Sequence, residues 1–528
     1  MIQKTQNSRD KLMTYLFPTI NLKLLLLSFA GLLITGCGGG GGNSAPTQPP
    51  VAALPPSMTQ FSFKVTENAG LDSDLTMMEL DGTFSGRTLT NASIKELVAS
   101  FEHNGSSASI GGVLQVSGTT TNDFTDLVTY TITGTDRQIT SYQVDLTQFT
   151  DLPIIYLKTD YSATIDSKED YIQGDTSIDG GRDFDDLAQV EMKIRGRGNS
   201  TWVKHPKKPF QMKLADKAEF LGMPNDKKWL FLAEYSDKTM LRNKISFEMG
   251  YISNLDWTPQ GRFAEVYIND EYNGTYNITQ KVEESDNRVA LGDTGYLLEL
   301  DQLKRLDFDD VYFESTVTDL FLVNIKEPNV DLNSAEYLYI KELIGDFESA
   351  MFGSSFLSNT EGYVKYIDVD SFVDWYLISE ITKNVDSQYF SSMFLNVMPG
   401  EKIKMGPLWD FDLSFGNVDY VDSRYAEGWW VKYHPWYERL FQDPDFVAKV
   451  KVRFAYFKDN QEFILDKIDA YAEQLKWAQQ ENDDKWQTLG MYVWPNSVVF
   501  DTYQEEVDYM KAWYIDRMDW LEEAFDGL

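Results

Sequence analysis

Lys193-Ile194-Arg195-Gly196-Arg197-Gly198-Asn199-Ser200-Thr201-Trp202, continued by Lys207-Lys208-Pro209-Phe210 and Lys213, stands out against everything around it. It places seven basic residues within 21 positions of a 528-residue chain that carries 82 acidic and 47 basic side chains, a formal net charge of −35. Glycines between arginines let backbone amides and guanidinium forks close on one anion together, which is how phosphates are held. A basic turn that pairs with the protein's own carboxylates satisfies the same pattern, and the stretch alone does not separate the two. Leu241-Arg242-Asn243-Lys244 adds further cations downstream. From about residue 187 onward the pattern mixes helix and strand, so the fold class expected is α+β.

Opposite charge gathers near the other end. Asn384-Val385-Asp386 is followed by Gly406-Pro407-Leu408-Trp409-Asp410-Phe411-Asp412-Leu413-Ser414-Phe415-Gly416-Asn417. Asp386 and Asp410 are 24 residues apart, with a hairpin pattern from Tyr389 through Asn396 to Lys404 between them. One carboxylate can orient an attacking hydroxyl while others hold Mg²⁺ against phosphate oxygens, because phosphoryl transfer needs positioning and charge neutralisation above all. The competing reading is a carboxylate cluster buried in salt bridges with the arginines.

Between these clusters, Glu265–Ile268 and Tyr276–Ile278 read as a hairpin with Asn273-Gly274 as its turn signal. Residues 369–383 read as a helix. In the helical tail, Val507, Met510, Tyr514, Met518, Leu521 and Phe525 recur at steps of three or four, the stripe of a core-facing helix. Upstream, Phe61, Phe63 and Val65, then Val128, Tyr130 and Ile132, then Tyr142, Val144 and Leu146 alternate with period two. Residues 57–150 are therefore expected to form a small Ig-like β-sandwich acting as a spacer. The aspartates of 160–186 do not follow calcium-loop spacing and read as a solvated acidic stretch.

At the N-terminus, Lys4, Arg9, Lys11 and Lys23 precede an apolar run of 11 residues, Leu24 to Ile34, ended by Thr35-Gly36-Cys37. That is a secretory signal pattern, too short for a spanning helix. The single cysteine behind Ile34-Thr35-Gly36 resembles a bacterial lipobox, which implies cleavage after residue 36 and acylation of Cys37. Residues 37–56, rich in glycine and then proline, read as a tether. The resemblance to lipoproteins further implies, from Gly38 behind the cysteine and for a two-membrane bacterium, sorting to the outer membrane, so a lipid-anchored place in the cell envelope is expected.

Composition excludes several classes. One cysteine rules out a disulfide framework, and His103, His205 and His434 lie in no metal-ligand spacing. A pI near 4.4 opposes nucleic-acid binding. No Gly-x-Ser-x-Gly elbow supports a serine hydrolase, and nothing selects a glycosidase pair from the many carboxylates. The aromatics Trp429, Trp430, Tyr433, Trp436 and Tyr437 suit core packing ahead of a sugar platform.

Arg195–Trp202, Lys207–Phe210, Leu241–Asn243, Val266–Tyr276, Lys281-Val282-Glu283 and Trp409–Asn417 occur in that order, and together they resemble the CotH kinase family of secreted and spore-coat atypical kinases. The resemblance spans about residues 152–455, and Asp443-Pro444-Asp445-Phe446 with Arg453 carry it into the tail. It implies a divergent protein-kinase-like two-lobed domain over 151–528 with a helical C-terminal part. It also implies use of ATP with Mg²⁺ or Mn²⁺ to phosphorylate serine or threonine of an envelope, coat or extracellular protein. Carried over by motif, Asp386 is the catalytic aspartate, and Asp410 or Asp412 the metal-binding one, Asp410 first. Arg195, Arg197, Lys208 and Lys213 are the candidates for the nucleotide phosphates, and Glu283 for pairing with one of those lysines. The sequence departs from the family where an asparagine is expected four to six residues after the catalytic aspartate: it has Phe390-Ser391-Ser392. A serine hydroxyl is a poorer hard-cation ligand, so a scaffold or adhesion lipoprotein without transferase activity is the alternative.

Overall fold

The computed structural model describes residues 55–388 and 391–528; the signal, the lipidation of Cys37 and most of the tether fall outside them. The alternation read in the N-terminal part places Phe61, Phe63, Tyr130, Ile132, Val144 and Leu146 in a buried core. Met58–Phe63 belongs to a three-stranded sheet and Val128–Thr133 and Ile139–Phe149 to a six-stranded one. The two sheets meet through Phe61, whose ring centroid lies 5.6 Å from Phe84 and 5.1 Å from Tyr130. Val65 lies beyond the end of its strand and is exposed.

Seven strands then close into a barrel. In chain order they are Ile154–Thr159, Ile172–Asp179, Leu187–Gly196, Phe210–Phe220, Met223–Leu232, Gly261–Ile268 and Glu271–Gln280. Antiparallel neighbours follow one another round the barrel until the first strand pairs in parallel with Gly261–Ile268 and seals it. Ile155, Met192, Ile194, Met212, Trp229, Val266 and Tyr276 fill its interior. Alternate positions on the same strands face outward, which is why Lys193 and Arg195 flank the buried Ile194. The expected hairpin forms, but its turn is Asn269-Asp270, with φ of 52° and 66°, and not Asn273-Gly274. Two adjacent positive φ values are what a tight hairpin turn demands. Gly274 instead sits within the second strand at φ 100°, where a Cβ would lie 2.7 Å from both Asn482 Oδ1 and Trp486 Nε1. Glycine there admits the Ala478–Trp486 helix against the strand.

A second body holds an antiparallel five-stranded sheet in the order Val311–Glu314, Leu322–Glu327, Tyr296–Asp301, Met393–Val397 and Lys404–Met405. The last two strands are the hairpin expected between the aspartates. Helices Arg242–Tyr251, Ala335–Phe352, Val369–Ile381, Pro444–Asp459, Gln461–Gln474 and Tyr503–Asp526 contribute to the same large core. Every residue of the Val507–Phe525 stripe is buried there, as are Trp430, Trp436 and Tyr437, while Tyr433 is exposed. The molecule is thus mixed α and β. Among the described residues no helix is long and apolar enough to cross a membrane.

Candidate functional site

The Gly406–Asn417 loop leaves the sheet's last strand and is fixed from behind by the helix that begins at Arg242. Arg242 is buried, pairs with the buried Asp237, and donates from Nε to the Ser414 carbonyl at 3.0 Å. Asn243 accepts from the Phe411 backbone N–H at 2.7 Å and donates to both oxygens of Glu234 at 3.2 Å each. Asn417 donates to the Ser236 carbonyl at 3.0 Å and the Asp412 carbonyl at 2.9 Å, closing the loop on itself. The cations read in Leu241–Lys244 are therefore structural: Lys244 donates to the Gly261 carbonyl at 2.7 Å from a buried position.

This frame presents Asp410 with φ 68°, beside Ser392 with φ 56° and Glu234 with φ 47°. Left-handed backbone costs a non-glycine residue roughly 1–2 kcal/mol, and such strain gathers where a site dictates geometry. The Asp386 carboxyl reaches the Asp410 carboxyl within hydrogen-bonding distance. Asp386 is the second residue of the short helix Val385–Gln388, and its backbone N–H donates to Asn384 Oδ1 at 3.0 Å. Asn384 is itself held by the Trp430 indole, which donates to its carbonyl at 2.8 Å. Arg305 stands 3.7 Å from Asp386 and also donates to Ser391 Oγ, while Ser392 Oγ donates to Asp410 Oδ2 at 3.1 Å.

Loss of water around the Asp386 carboxyl, then the neighbouring Asp410, push its pKa up to about 7, with Arg305 opposing. Asp412 is raised well above the usual carboxylate range by burial and then by Asp410, Glu234 and Asp386. Glu234 goes up to about 8 through burial and Asp237, against the amides of Asn277 and Asn243. Glu299, on the adjacent strand, is raised to about 7 by burial although Lys326 stands 3.7 Å away. Burial is the largest cause for all four carboxyls, and the cations that face them are Arg305, Lys207, Lys326 and Arg197. Among the described residues no three His, Cys, Asp or Glu side chains converge as a ready-made metal cage. A Mg²⁺ that arrives with phosphate needs only one or two carboxylates, and Asp410 with its neighbour Asp412 would offer two.

Of the basic residues, Arg197 joins this cluster. Its guanidinium lies 5.5 Å from the Trp409 ring centroid and feels the charges of Asp410, Asp412 and Glu234. Arg195 points to the barrel's outside, 4.8 Å from the Tyr171 ring and bonded to the Glu169 carbonyl. Lys208 closes the end of the Ser200–Lys204 helix, donating to the Trp202 and His205 carbonyls at 2.6 Å each. Lys213 faces outward between Lys193 and Lys228 of the neighbouring strands. Glu283 pairs with Lys228 at 2.6 Å, Lys281 at 3.4 Å and Arg288, none of them among the lysines expected for it. The sequence reading missed Glu234, Arg305 and Lys207. Lys207 is buried, bonded to the Thr275 carbonyl and to Asn482 Oδ1 at 2.8 Å, and pushed down to about 7 by burial. Only the Lys207-Lys208 doublet hinted at one of them.

A family model described as CotH kinase protein matches residues 194–521, about three-fifths of the chain. No curated protein matches it. Among solved structures, a candidate glycoside hydrolase from Bacteroides thetaiotaomicron is similar at 12% identity, covering 56% of this chain and 89% of that one at a TM-score of 0.17. A likeness at that score carries no statement about fold or activity.

Proposed function

This chain belongs to the CotH kinase family, a kinase-like group, and on that premise we propose that the Asp386–Asp410 pair transfers the γ-phosphoryl group of ATP to a serine or threonine hydroxyl of an envelope or extracellular protein. The observation that carries the reading is the contact of these two carboxyls, 24 residues apart in the chain, inside a buried carboxyl cluster with Arg197 and Arg305 beside it. Asp386 accepts the proton of the acceptor hydroxyl, and a pKa near 7 suits that exchange at neutral pH. Asp410 and Asp412 would hold Mg²⁺ or Mn²⁺, which would neutralise charge on the phosphates. Arg197 supplies a fixed guanidinium for a phosphate oxygen, with Trp409 beneath it. Arg305 keeps Asp386 and Ser391 in place. The two bodies correspond to the two lobes of a kinase in this reading, with the barrel above the Asp410 loop. Acylation at Cys37 anchors the protein to the envelope; mass spectrometry of the N-terminal peptide from the native host tests it.

The contact of Ser392 with Asp410, where an asparagine ligand is expected, favours a second reading: an envelope scaffold or adhesion lipoprotein that no longer transfers phosphate. Labelled ATP with Mn²⁺ or Mg²⁺, given to the chain lacking residues 1–42, separates the two. The kinase reading expects label on the protein or an added acceptor, reduced at least about a hundredfold in Asp386→Asn and accompanied by lost metal-dependent nucleotide binding in Asp410→Asn. Equal labelling of the wild type and Asp386→Asn, or none in either, would sink it.

A further inference from the structure

Glu234 is an odd choice for its position. It is buried, it holds φ 47°, and it faces the like charges of Asp237 and Asp412. Each of these features opposes a carboxylate at the end of a barrel strand. Against these stand the charges of Lys207 and Arg197 and a specific set of hydrogen bonds: both oxygens accept from the Asn243 amide nitrogen, and Oε1 also accepts from Asn277 at 3.2 Å. An asparagine amide has a donor end and an acceptor end that differ only in hydrogen-bonding character. Fixing the donor end on a carboxylate forces the acceptor end to point the other way. In Asn243 the acceptor end takes the N–H of Phe411, the residue between Asp410 and Asp412. The chain of contacts therefore runs from a barrel carboxylate through one amide to the peptide that carries both aspartates.

We propose that Glu234 is a positioning residue that locks the Asn243 amide in one orientation and thereby holds Asp410 in its left-handed backbone conformation for catalysis. The catalytic half of this statement rests on the phosphoryl-transfer reading; the structural half does not. No substrate contact is assigned to Glu234. Its action is on the loop, and the same carboxylate contributes to the field that holds Arg197 near the aspartates.

The arrangement admits a swap. Asn243→Asp alone sets two carboxylates against each other. Glu234→Gln alone replaces one acceptor oxygen by an NH₂ donor, which opposes the Asn243 donor and competes with the Phe411 N–H for Asn243 Oδ1. Glu234→Gln with Asn243→Asp restores the contact with the acid moved across it: the glutamine amide donates to one aspartate oxygen, and the other accepts from Phe411. Hydrogen exchange of the peptide covering residues 409–412 reads the lock directly. The expected result is exchange at least tenfold faster in each single variant, recovery to within about threefold of wild type in the double variant, and unchanged protection in the Tyr503–Asp526 helix. In the same variants, labelled-ATP transfer should fall at least tenfold in kcat in each single variant, with KM for ATP moved less than threefold, and recover in the double.

Unaltered 409–412 exchange in Glu234→Gln overturns the inference, and so does a single-variant loss that the double fails to recover. A uniform rise across all peptides, including the C-terminal helix, would mark Glu234 as merely stabilising and also overturns it. If wild type transfers no phosphate while the exchange swap behaves as expected, the lock stands and the kinase reading falls.

Discussion

At the scale of single residues, the site's carboxyls tie function to stability. Asp386 titrates near 7 in the folded protein against an ordinary value of 3.8. Between those values the folded state binds more protons than the unfolded chain. Its contribution to stability is therefore complete below about pH 4 and is lost as pH rises through 7. Asp412, Glu234 and Glu299 are shifted the same way and add to the slope. Urea unfolding of the metal-free protein should show stability falling between pH 5 and pH 8. Asp386→Asn should remove about 2–4 kcal/mol of that change and be the more stable protein at pH 8. Saturating Mn²⁺ should restore the wild type at pH 8, by about 2.7 kcal/mol at a hundred times its dissociation constant. A wild type that gains stability on going from pH 5 to pH 8 without metal would refute this account. Asp386 and Asp410 were singled out in the sequence through the family resemblance, and the fold brings their carboxyls together. Glu234 and Arg305 were not, because nothing beside them in sequence marks them; only the fold brings Glu234 to Asn243 and Arg305 to Asp386.

At the scale of elements, periodicity was a good guide wherever one face meets a core. The stripe from Val507 to Phe525 and the helix Val369–Ile381 lie where the pattern put them. The barrel's closure was not legible, since it depends on a parallel pairing between Ile154–Thr159 and Gly261–Ile268 a hundred residues apart. Asn273-Gly274 misled for a physical reason: glycine marks positive φ equally at a turn and at a close approach. Gly274 and Gly292 provide the comparison, both at positive φ, but only Gly274 with neighbours in the way of a Cβ. Gly292→Ala should cost about 1 kcal/mol from backbone strain alone. Gly274→Ala should cost roughly 2–4 kcal/mol, because the helix carrying Asn482 and Trp486 must also retreat. Chemical unfolding midpoints of the two variants measure the difference; equal losses would show that the strand and helix do not pack as described. The retreat would also loosen Lys207, which donates to Asn482.

At the scale of the whole molecule, the net charge of −35 opposes one ligand of the proposed reaction and favours the other. The seven basic residues between 193 and 213 fit in sequence either an anion cradle or a basic turn pairing with the protein's own carboxylates, and the barrel's alternation sends them in different directions. Arg197 alone of the four proposed phosphate contacts reaches the aspartates. The global field therefore remains repulsive to a nucleotide approaching Asp410, while it draws in a divalent cation. Screening acts on both with opposite sign: the Debye length falls from about 30 Å at 0.01 M salt to about 8 Å at 0.15 M. Over that range the association rate of an ATP analogue should rise roughly two- to fivefold, and that of Mn²⁺ alone should fall by a similar factor. Stopped-flow measurements on the tether-free chain, with Trp409 beside Arg197 as a natural fluorophore, can follow both. Rates that move in the same direction would mean that local charge outweighs the molecular field at the site. The basic residues Lys193, Lys213 and Lys228, aligned on the barrel's outer face, would then have to be counted as part of the nucleotide's approach.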